Sequence, residues 1–179
     1  MSTNIIDKVI LTDSEIKAVV AKLSNKINNS YKKGKRIEVL VLLEGARVFA
    51  QDLFSSENID LDKFHISYVK VKSYNGVNSE DVQISKEDLS FIENKEVLII
   101  DDIYETGKTL NAFCEYIETF SPESIKTCVL LERETEHEES INIDFLGVIV
   151  KNQDFLIGYG LDYNGDCRDL PLIATLKKI

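Results

Sequence analysis

One stretch near the middle of the chain limits its architecture more than any other. Four apolar residues, 97–100, run directly into two adjacent carboxylates, Asp101 and Asp102. A short loop of small and hydroxyl residues follows, and apolar residues then recur at helical spacing over 110–117. This order predicts a buried strand, an acidic strand end and a loop that opens onto a helix N-terminus.

Strand and helix patterns alternate along the rest of the chain. Thr12 with Glu15 three residues later forms a capping-box pattern, so we expect a helix that starts there and ends before Gly34. The other predicted strands are 37–43, 65–71, 125–131 and 145–150, and a further helix is predicted over 46–53. This alternation predicts an α/β domain with a mainly parallel central sheet flanked by helices.

Polar residues stand just after three of the predicted strands. They are Glu44-Gly45, Asp101-Asp102 and Glu132-Arg133. Ligands of parallel sheets bind at the carboxyl ends of strands, so we expect the three pairs to converge. The helix N-terminus suits a phosphate, and two carboxylates beside it are costly unless they bind sugar hydroxyls or a divalent cation. The sequence therefore predicts a site for a phosphorylated sugar.

The segment 73–85 is polar and is predicted to be a long exposed loop. It contains two turn-forming pairs, Asn75-Gly76 and Asn78-Ser79. Loops of this length inside compact domains are often functional lids.

Composition narrows the possible partners and the compartment. The 179 residues carry a formal net charge of -10, which argues against binding to nucleic acid or to an anionic membrane surface. Cys114, Cys128 and Cys167 lie far apart, which favours a reducing cytoplasm over a disulfide framework. His65 and His137 have no ligand-spaced partner, so a zinc site is not expected. No apolar run approaches the roughly 18 residues of a membrane span.

Gly107-Lys108-Thr109 invites comparison with a P-loop. That motif needs a glycine five positions before Gly107, and the residue there is Asp102. A P-loop is therefore excluded, and a metal-binding strand end of a nucleotide triphosphatase is disfavoured with it.

Residues 97–110 resemble the ribose-phosphate loop of type I phosphoribosyltransferases, and further motifs resemble the hypoxanthine-guanine branch of that family. These motifs are 43–46, 72–74, 130–133, 154–163 and 168–171, in register from about residue 12 to the end. The resemblance implies a single domain over 1–179, with a core at about 37–150 and a small hood from the N-terminal region and about 151–179. It also implies transfer of a phosphoribosyl group from phosphoribosyl pyrophosphate to hypoxanthine or guanine, Mg²⁺ as cofactor, and a homodimer or homotetramer.

The resemblance also implies a role for each matched residue. For the donor, Asp101 and Asp102 would hold the ribose hydroxyls, Thr106, Gly107, Lys108 and Thr109 the 5′-phosphate, and Glu44, Gly45 and Arg168 the pyrophosphate. For the base, Arg133, Phe155 and the main chain of Leu156 would bind the purine, and Glu105 would accept a proton at its ring nitrogen. Asp162, with Asp101 and Asp102, would face Mg²⁺, and Ser73 with Tyr74 would begin the lid.

Three positions depart from the family pattern. Glu44 stands where lysine is usual, Glu105 where aspartate is usual, and Arg133 where lysine is usual. A carboxylate at position 44 would repel pyrophosphate, so contacts there would come from backbone N–H groups. The resemblance also implies a non-proline cis bond before the glycine, which we expect at Glu44-Gly45; the alternative is that Glu44 points away and the empty loop is trans.

Each assignment has a plainer structural alternative. Thr106 also fits a helix cap, Phe155 a core residue, Asp162 a turn residue, and Arg168 a surface ion pair. Glu105 also fits a loop carboxylate, and Arg133 also balances the acidic run over 132–139. For the whole chain, the alternatives are a phosphoribosyltransferase of another base specificity and a catalytically weak nucleotide-binding regulator on the same fold. The sequence does not separate hypoxanthine, guanine and xanthine.

Overall fold

The computed structural model describes residues 5–32, 34–73, 82–84, 88–135, 141–151 and 154–177. For residues 72, 73 and 82–84 it describes the backbone alone. Tyr74 and most of the predicted lid therefore lie outside the described residues.

Nine strands and three α-helices account for the regular structure of the described part of the chain. The strands are β1 Ile6–Leu11, β2 Ile37–Leu43, β3 Phe64–Ser73, β4 Val82–Ile84, β5 Glu96–Tyr104, β6 Ser124–Arg133, β7 Phe145–Val150, β8 Leu156–Ile157 and β9 Ile173–Leu176. The helices are α1 Asp13–Ser30, α2 Ala46–Phe54 and α3 Lys108–Glu118, and two short 3₁₀ turns lie at Leu61–Lys63 and Ser90–Ile92.

The larger sheet has the strand order β4-β3-β2-β5-β6-β7. Strands β3, β2, β5, β6 and β7 run parallel, and β4 pairs antiparallel at the edge. The predicted α/β fold with a mainly parallel sheet is confirmed. A second, three-stranded antiparallel sheet joins β1 to β9 and β8, so the two ends of the chain meet there.

Helices cover both faces of the larger sheet, and β2 shows how the sequence provides for this. Val39 and Val41 face the core formed with α1 and α2, whereas Leu40 and Leu42 face the core formed with α3. Since successive side chains of a strand point to opposite faces, a strand buried on both sides is mainly apolar; the exception in β2 is Glu38, which pairs with Nδ1 of His65.

Helix α1 begins as its capping box predicts. The hydroxyl of Thr12 accepts from the N–H of Glu15 at 3.4 Å, and the Glu15 carboxylate accepts from the N–H of Thr12 at 2.8 Å. The two bonds satisfy N–H groups that the helix itself leaves unpaired. Within the described ranges, none of the helices combines the length and apolar composition that crossing a bilayer requires.

Three strand predictions ended too early, since β3 also continues to Ser73 beyond the predicted residue 71, and one loop prediction was wrong in part. The acidic pair lies inside β5 rather than after it, because β5 continues beside β6 with Asp101 opposite Val129 and Tyr104 opposite Glu132. Glu132-Arg133 likewise closes β6. Residues 82–84, predicted to be loop, pair with 71–73 of β3. Pairing with a neighbouring strand decides these ends, and local polarity does not reveal it.

Candidate active site

A cavity of about 540 Å³ opens at the carboxyl edge of the parallel sheet. Its lining residues are Glu44, Gly45, Asp102, Ile103, Glu105, Arg133, Phe155, Leu156, Gly160, Leu161, Asp162 and Arg168. All except Ile103, Gly160 and Leu161 were predicted from the sequence as site residues. The size is typical of a small-molecule site, and the wall combines carboxylates, guanidinium groups and apolar side chains.

Two glycines let three chain segments meet at this cavity. A Cβ added at Gly45 would collide with the carboxylate of Asp102, and one added at Gly160 would collide with the carbonyl oxygen of Gly45. Gly160 also has φ +98°, a conformation that L side chains rarely adopt. The backbone of the loop after β2 therefore lies against a side chain of β5 on one side. On the other side it lies against the backbone of the C-terminal segment.

Glu44 lies in the loop between β2 and α2, and its side chain is exposed. Its carboxylate is 3.2 Å from Nη2 of Arg47, one helical turn further along. This cation offsets part of the negative charge that the carboxylate brings to the cavity. The cis peptide bond lies at Leu43-Glu44, so the expectation of a cis bond at Glu44-Gly45 was wrong by one residue. Residue type does not specify the position of a non-proline cis bond, and the sequence alone could not place it.

The acidic pair of β5 divides between the interior and the cavity. Asp101 is 8% exposed and does not line the cavity, whereas Asp102 does. Burial, together with the negative charge of Asp102, holds the pKa of Asp101 well above its ordinary value. Burial also raises the pKa of Asp102, although the positive charge of Arg168 opposes the rise. A hydrogen-bonding partner or a cation beside Asp102 would therefore be favourable.

The predicted phosphate loop lies where β5 leads into α3. Gly107 is the N-cap of α3 with φ 84°, and Lys108 and Thr109 occupy the first turn of the helix. The N–H of Lys108 is 3.4 Å from the hydroxyl of Thr106, so Thr106 takes part in the turn that precedes the helix. The first turn of a helix presents N–H groups without intrahelical partners, a geometry that suits an anion. None of residues 106–109 lines the cavity itself.

Glu105 and Arg133 form an ion pair at one end of the cavity. Arg133 Nε lies 2.6 Å from Glu105 Oε1, and Arg133 Nη1 donates to the main-chain carbonyl of Asp154 at 3.3 Å. The side chain of Arg133 is 6% exposed and that of Glu105 is 52% exposed. The guanidinium group is therefore a buried part of the wall, whereas about half of the Glu105 side chain faces solvent.

Phe155 offers an exposed aromatic face beside this ion pair. The residue is 55% exposed although it lines the cavity, and its only described aromatic contact is edge-on with Tyr163, at a centroid distance of 5.9 Å. Leu156 behind it is buried at 5% exposure. The alternative that Phe155 is a core residue is excluded by its exposure, and the ring is placed to stack on a planar ligand.

Asp162 and Arg168, which also line the cavity, pair with each other. Arg168 Nη2 donates to Asp162 Oδ1 at 2.9 Å, and the N–H of Gly165 donates to Oδ2 of Asp162 at 2.7 Å. Burial alone would raise the pKa of Asp162, but these two hydrogen bonds hold it below its ordinary value. Nε of Arg168 is shielded from solvent and has no hydrogen-bond partner among the described residues, so a donor is left for an anion.

Carboxylates at this site are dispersed rather than clustered. Among the described residues, no three His, Cys, Asp or Glu side chains lie close enough together to form a metal site. Asp102 and Asp162 both line the cavity, and this donor set fits an ion such as Mg²⁺, which takes one or two carboxylates and completes its shell from water and substrate phosphates.

Sequence reasoning missed three lining residues. Ile103 lies between Asp102 and Glu105, and Gly160 and Leu161 precede Asp162 in the C-terminal motif. Their positions between predicted site residues were a usable signal. Their apolar character concealed it, because such residues are more often core.

Comparisons with known proteins agree with this geometry. A model described as "Phosphoribosyl transferase domain" matches residues 8–164. Hypoxanthine-guanine phosphoribosyltransferase of Staphylococcus aureus is 34% identical over 176 residues, covering 97% of this chain and 96% of the relative. The corresponding protein of Aquifex aeolicus is 36% identical over 173 residues, covering 95% and 94%.

The crystal structure of a hypoxanthine phosphoribosyltransferase from Staphylococcus aureus superimposes on this chain with a TM-score of 0.87. The two proteins are 34% identical, and the match covers 97% of this chain and 93% of that one. The resemblance that the sequence motifs indicated is thereby confirmed. By sequence over nearly its full length, by fold and by the residues gathered at the sheet edge, the chain belongs to the phosphoribosyl transferase domain family.

Proposed function

We propose that the protein transfers the 5-phosphoribosyl group of phosphoribosyl pyrophosphate to a 6-oxopurine, hypoxanthine or guanine, and releases pyrophosphate, a reaction of purine salvage. The names of the relatives support this proposal. The observation that carries it is that Asp102, Arg133 and Phe155 line a single cavity. A sugar-binding carboxylate, a hydrogen-bond donor for a 6-oxo group and an aromatic platform are thus available to one ligand.

The donor would occupy the half of the cavity between β5 and the C-terminal segment. Asp102 accepts hydrogen bonds from ribose hydroxyls. Asp101 helps to position it, since its Oδ1 accepts from the N–H of Asp102. The 5′-phosphate takes the N-terminal turn of α3 over residues 106–109. Backbone N–H groups around Gly45 and the guanidinium of Arg168 face the pyrophosphate, and the Arg47 cation offsets the charge of Glu44.

Mg²⁺ is part of this proposal. Asp102 and Asp162 are the residues that would hold it, with pyrophosphate oxygens and water completing the shell. When bound, the ion neutralises negative charge on the departing pyrophosphate. Arg168 assists by donating to the same oxygens, since its Nε has no partner among the described residues.

The base would occupy the end of the cavity formed by Glu105, Arg133 and Phe155. Arg133 donates a hydrogen bond to the 6-oxo group of the purine. Adenine cannot accept this bond, because it carries an amino group at that position. Phe155 stacks on the purine ring, and the main chain of Leu156 meets the base edge. Glu105 accepts the proton of the ring nitrogen as the new bond forms, a role worth roughly 10²–10⁴-fold in rate.

Positioning and electrostatics would supply most of the rate enhancement. The reaction develops charge on the ribose carbon and on the leaving oxygens, and fixed donors act there without reorganisation. The predicted lid, which starts at Ser73 and Tyr74, would exclude water that otherwise attacks the sugar. A homodimer or homotetramer and a cytoplasmic location, favoured by three unpaired cysteines, complete the proposal.

The deciding experiment measures pyrophosphate release from phosphoribosyl pyrophosphate and Mg²⁺ with hypoxanthine, guanine, xanthine and adenine in separate reactions. We expect turnover with hypoxanthine or guanine and none with adenine. Turnover with adenine alone would assign another base specificity, and nucleotide binding without any turnover would favour a regulator.

Glu105→Ala tests the proton acceptor in the same assay. We expect kcat to fall by about 10²-fold or more while the affinity for phosphoribosyl pyrophosphate stays nearly constant. Glu118→Ala, at the exposed far end of α3, is the matched control and should leave both values unchanged. An unchanged kcat in Glu105→Ala would remove Glu105 from the mechanism.

A further inference from the structure

Arg133 connects two separate walls of the cavity. It is 5% exposed, which is unusual for a guanidinium group. Its Nε lies 2.6 Å from Oε1 of Glu105, and its Nη1 donates to the carbonyl oxygen of Asp154 at 3.3 Å. Glu105 belongs to the loop before α3, and Asp154 directly precedes the aromatic platform Phe155. The Arg133 side chain therefore connects the loop that contains Glu105 to the segment that contains Phe155.

The register of the sheet brings Glu105 and Arg133 together. Tyr104, the last residue of β5, pairs with Glu132 of β6, so Glu105 and Arg133 follow directly after this pair. The two side chains meet where the parallel strands end, and no rearrangement of the backbone is needed. The ion pair is thus a consequence of the fold.

The two partners differ sharply in how firmly they are held. The side chain of Arg133 is 6% exposed and sits in the wall, whereas that of Glu105 is 52% exposed on a loop. An exposed glutamate has three rotatable side-chain bonds and loses considerable conformational entropy when it is fixed. The guanidinium group is therefore the part that fixes the carboxylate, rather than the reverse.

We propose that Arg133 is a positioning residue that sets the reach of Glu105 and the place of the Phe155 segment at the same time. This inference rests on the proposed function and deepens it, because it makes base recognition depend on a two-ended bridge. The bridge needs arginine, because one planar cation keeps its Nε beside the Glu105 carboxylate and its Nη1 at the carbonyl oxygen of Asp154, whereas lysine is a point charge on a flexible stem. Lysine would keep the positive charge and a donor for the 6-oxo group but would not hold both ends.

The test is a double-mutant cycle with Glu105→Gln and Arg133→Lys, read out as kcat and as KM for the base. In the wild-type background we expect Arg133→Lys to lower kcat about tenfold, a typical size for residues in contact. In the Glu105→Gln background the same substitution should change kcat less than about twofold, because the carboxylate that it positions is already absent. KM for the base should rise in both backgrounds, since the contact with Asp154 is lost in both.

Three further measurements separate this role from a merely structural one. Arg36→Lys, an exposed arginine away from this cavity, makes the same chemical change and should alter neither kcat nor KM. Thermal unfolding of every variant shows whether Arg133→Lys folds, and Arg133→Gln replaces it in the cycle if it does not. A positioning role also predicts that KM for phosphoribosyl pyrophosphate stays constant throughout, whereas general disruption of the cavity would raise it.

Equal losses of kcat in the two backgrounds would overturn the inference, while turnover by the wild type would leave the proposed function intact. If the wild type releases no pyrophosphate, the proposed function fails first. The cycle is then measured as the dissociation constant of GMP by calorimetry. Under that readout, non-additive losses support the bridge and additive losses refute it.

Discussion

Phe155 provides the sharpest test of the base-binding end of the cavity. The residue is 55% exposed and lines the cavity, and among the described residues its ring meets another aromatic ring only at Tyr163, edge-on. An apolar ring in this state contributes little to folding, since most of its surface still faces water. A purine that stacks on the ring would cover that face. Phe155→Ala should therefore reduce ligand affinity without reducing stability.

The expected magnitude follows from the exposure of the ring. Stacking of a base on an aromatic side chain is worth about 1–3 kcal/mol by alanine substitution, which corresponds to a rise of about 5- to 150-fold in KM for the purine. Substitutions at surface positions usually change the free energy of unfolding by less than about 0.5 kcal/mol. If Phe155 were a core residue instead, truncation would cost about 3–5 kcal/mol and would lower the midpoint of unfolding markedly.

Steady-state kinetics with hypoxanthine and guanine, together with urea unfolding, measure both quantities. Phe155→Leu keeps an apolar side chain but loses the aromatic face, and its KM should fall between those of the wild type and Phe155→Ala. Phe91→Ala is the matched control, because Phe91 is also exposed, at 41%, and lies outside the cavity lining. Unchanged KM values in Phe155→Ala would show that no base stacks on this ring.

Three further predictions concern the backbone contact, a helix cap and a thiol. Gly160→Ala should lower the free energy of unfolding by about 1–3 kcal/mol and raise KM for phosphoribosyl pyrophosphate, because the new Cβ strains φ and collides with Gly45; thermal unfolding and kinetics measure both. Thr12→Ala should cost about 1 kcal/mol in urea unfolding at pH 7. Hydrogen bonds from the Thr12 side chain and N–H lower the pKa of Glu15. Their contribution to folding stability is therefore present above the unfolded-state pKa of about 4.3 and is lost as pH falls through the folded-state pKa. The destabilisation caused by Thr12→Ala should shrink over the same pH range. Burial raises the pKa of the Cys114 thiol to about 12, so mass spectrometry should find it alkylated much more slowly at pH 8 in the folded protein than in urea.

The interior of the fold was predictable because local patterns and tertiary packing agree there. Strand β7 has the predicted bounds of residues 145–150, and β2 has those of 37–43. In β2 every residue from Ile37 to Leu42 is buried, and the apolar run, interrupted only by Glu38, indicated a strand covered on both faces. Thr12 placed the start of α1 because a capping box is a purely local structure.

The strand ends and the edge strand were not predictable in the same way. Asp101 continues β5 although it is a carboxylate, because β6 extends beside it and supplies the paired backbone groups. Residues 82–84 form β4 because β3 is available as a partner. In both cases polar residues form a strand because they hydrogen-bond to a neighbouring strand. A single sequence does not show which strands pair, so these strand residues could not be predicted from it.

The site depends both on local sequence motifs and on packing between distant segments. The motifs therefore identified its residues, but they did not predict which of these residues contact one another. The motif around Asp162 runs through positive-φ positions at Gly158, Tyr159 and Gly160, which no hydrophobic periodicity predicts. The contacts then depend on where segments far apart in sequence dock: Tyr159 donates to Asp52 of α2 at 2.7 Å, which ties the C-terminal segment to the helix that follows Gly45. Residue types therefore indicate the chemistry of the cavity, whereas its shape follows from how α2, β5 and the C-terminal segment pack against one another.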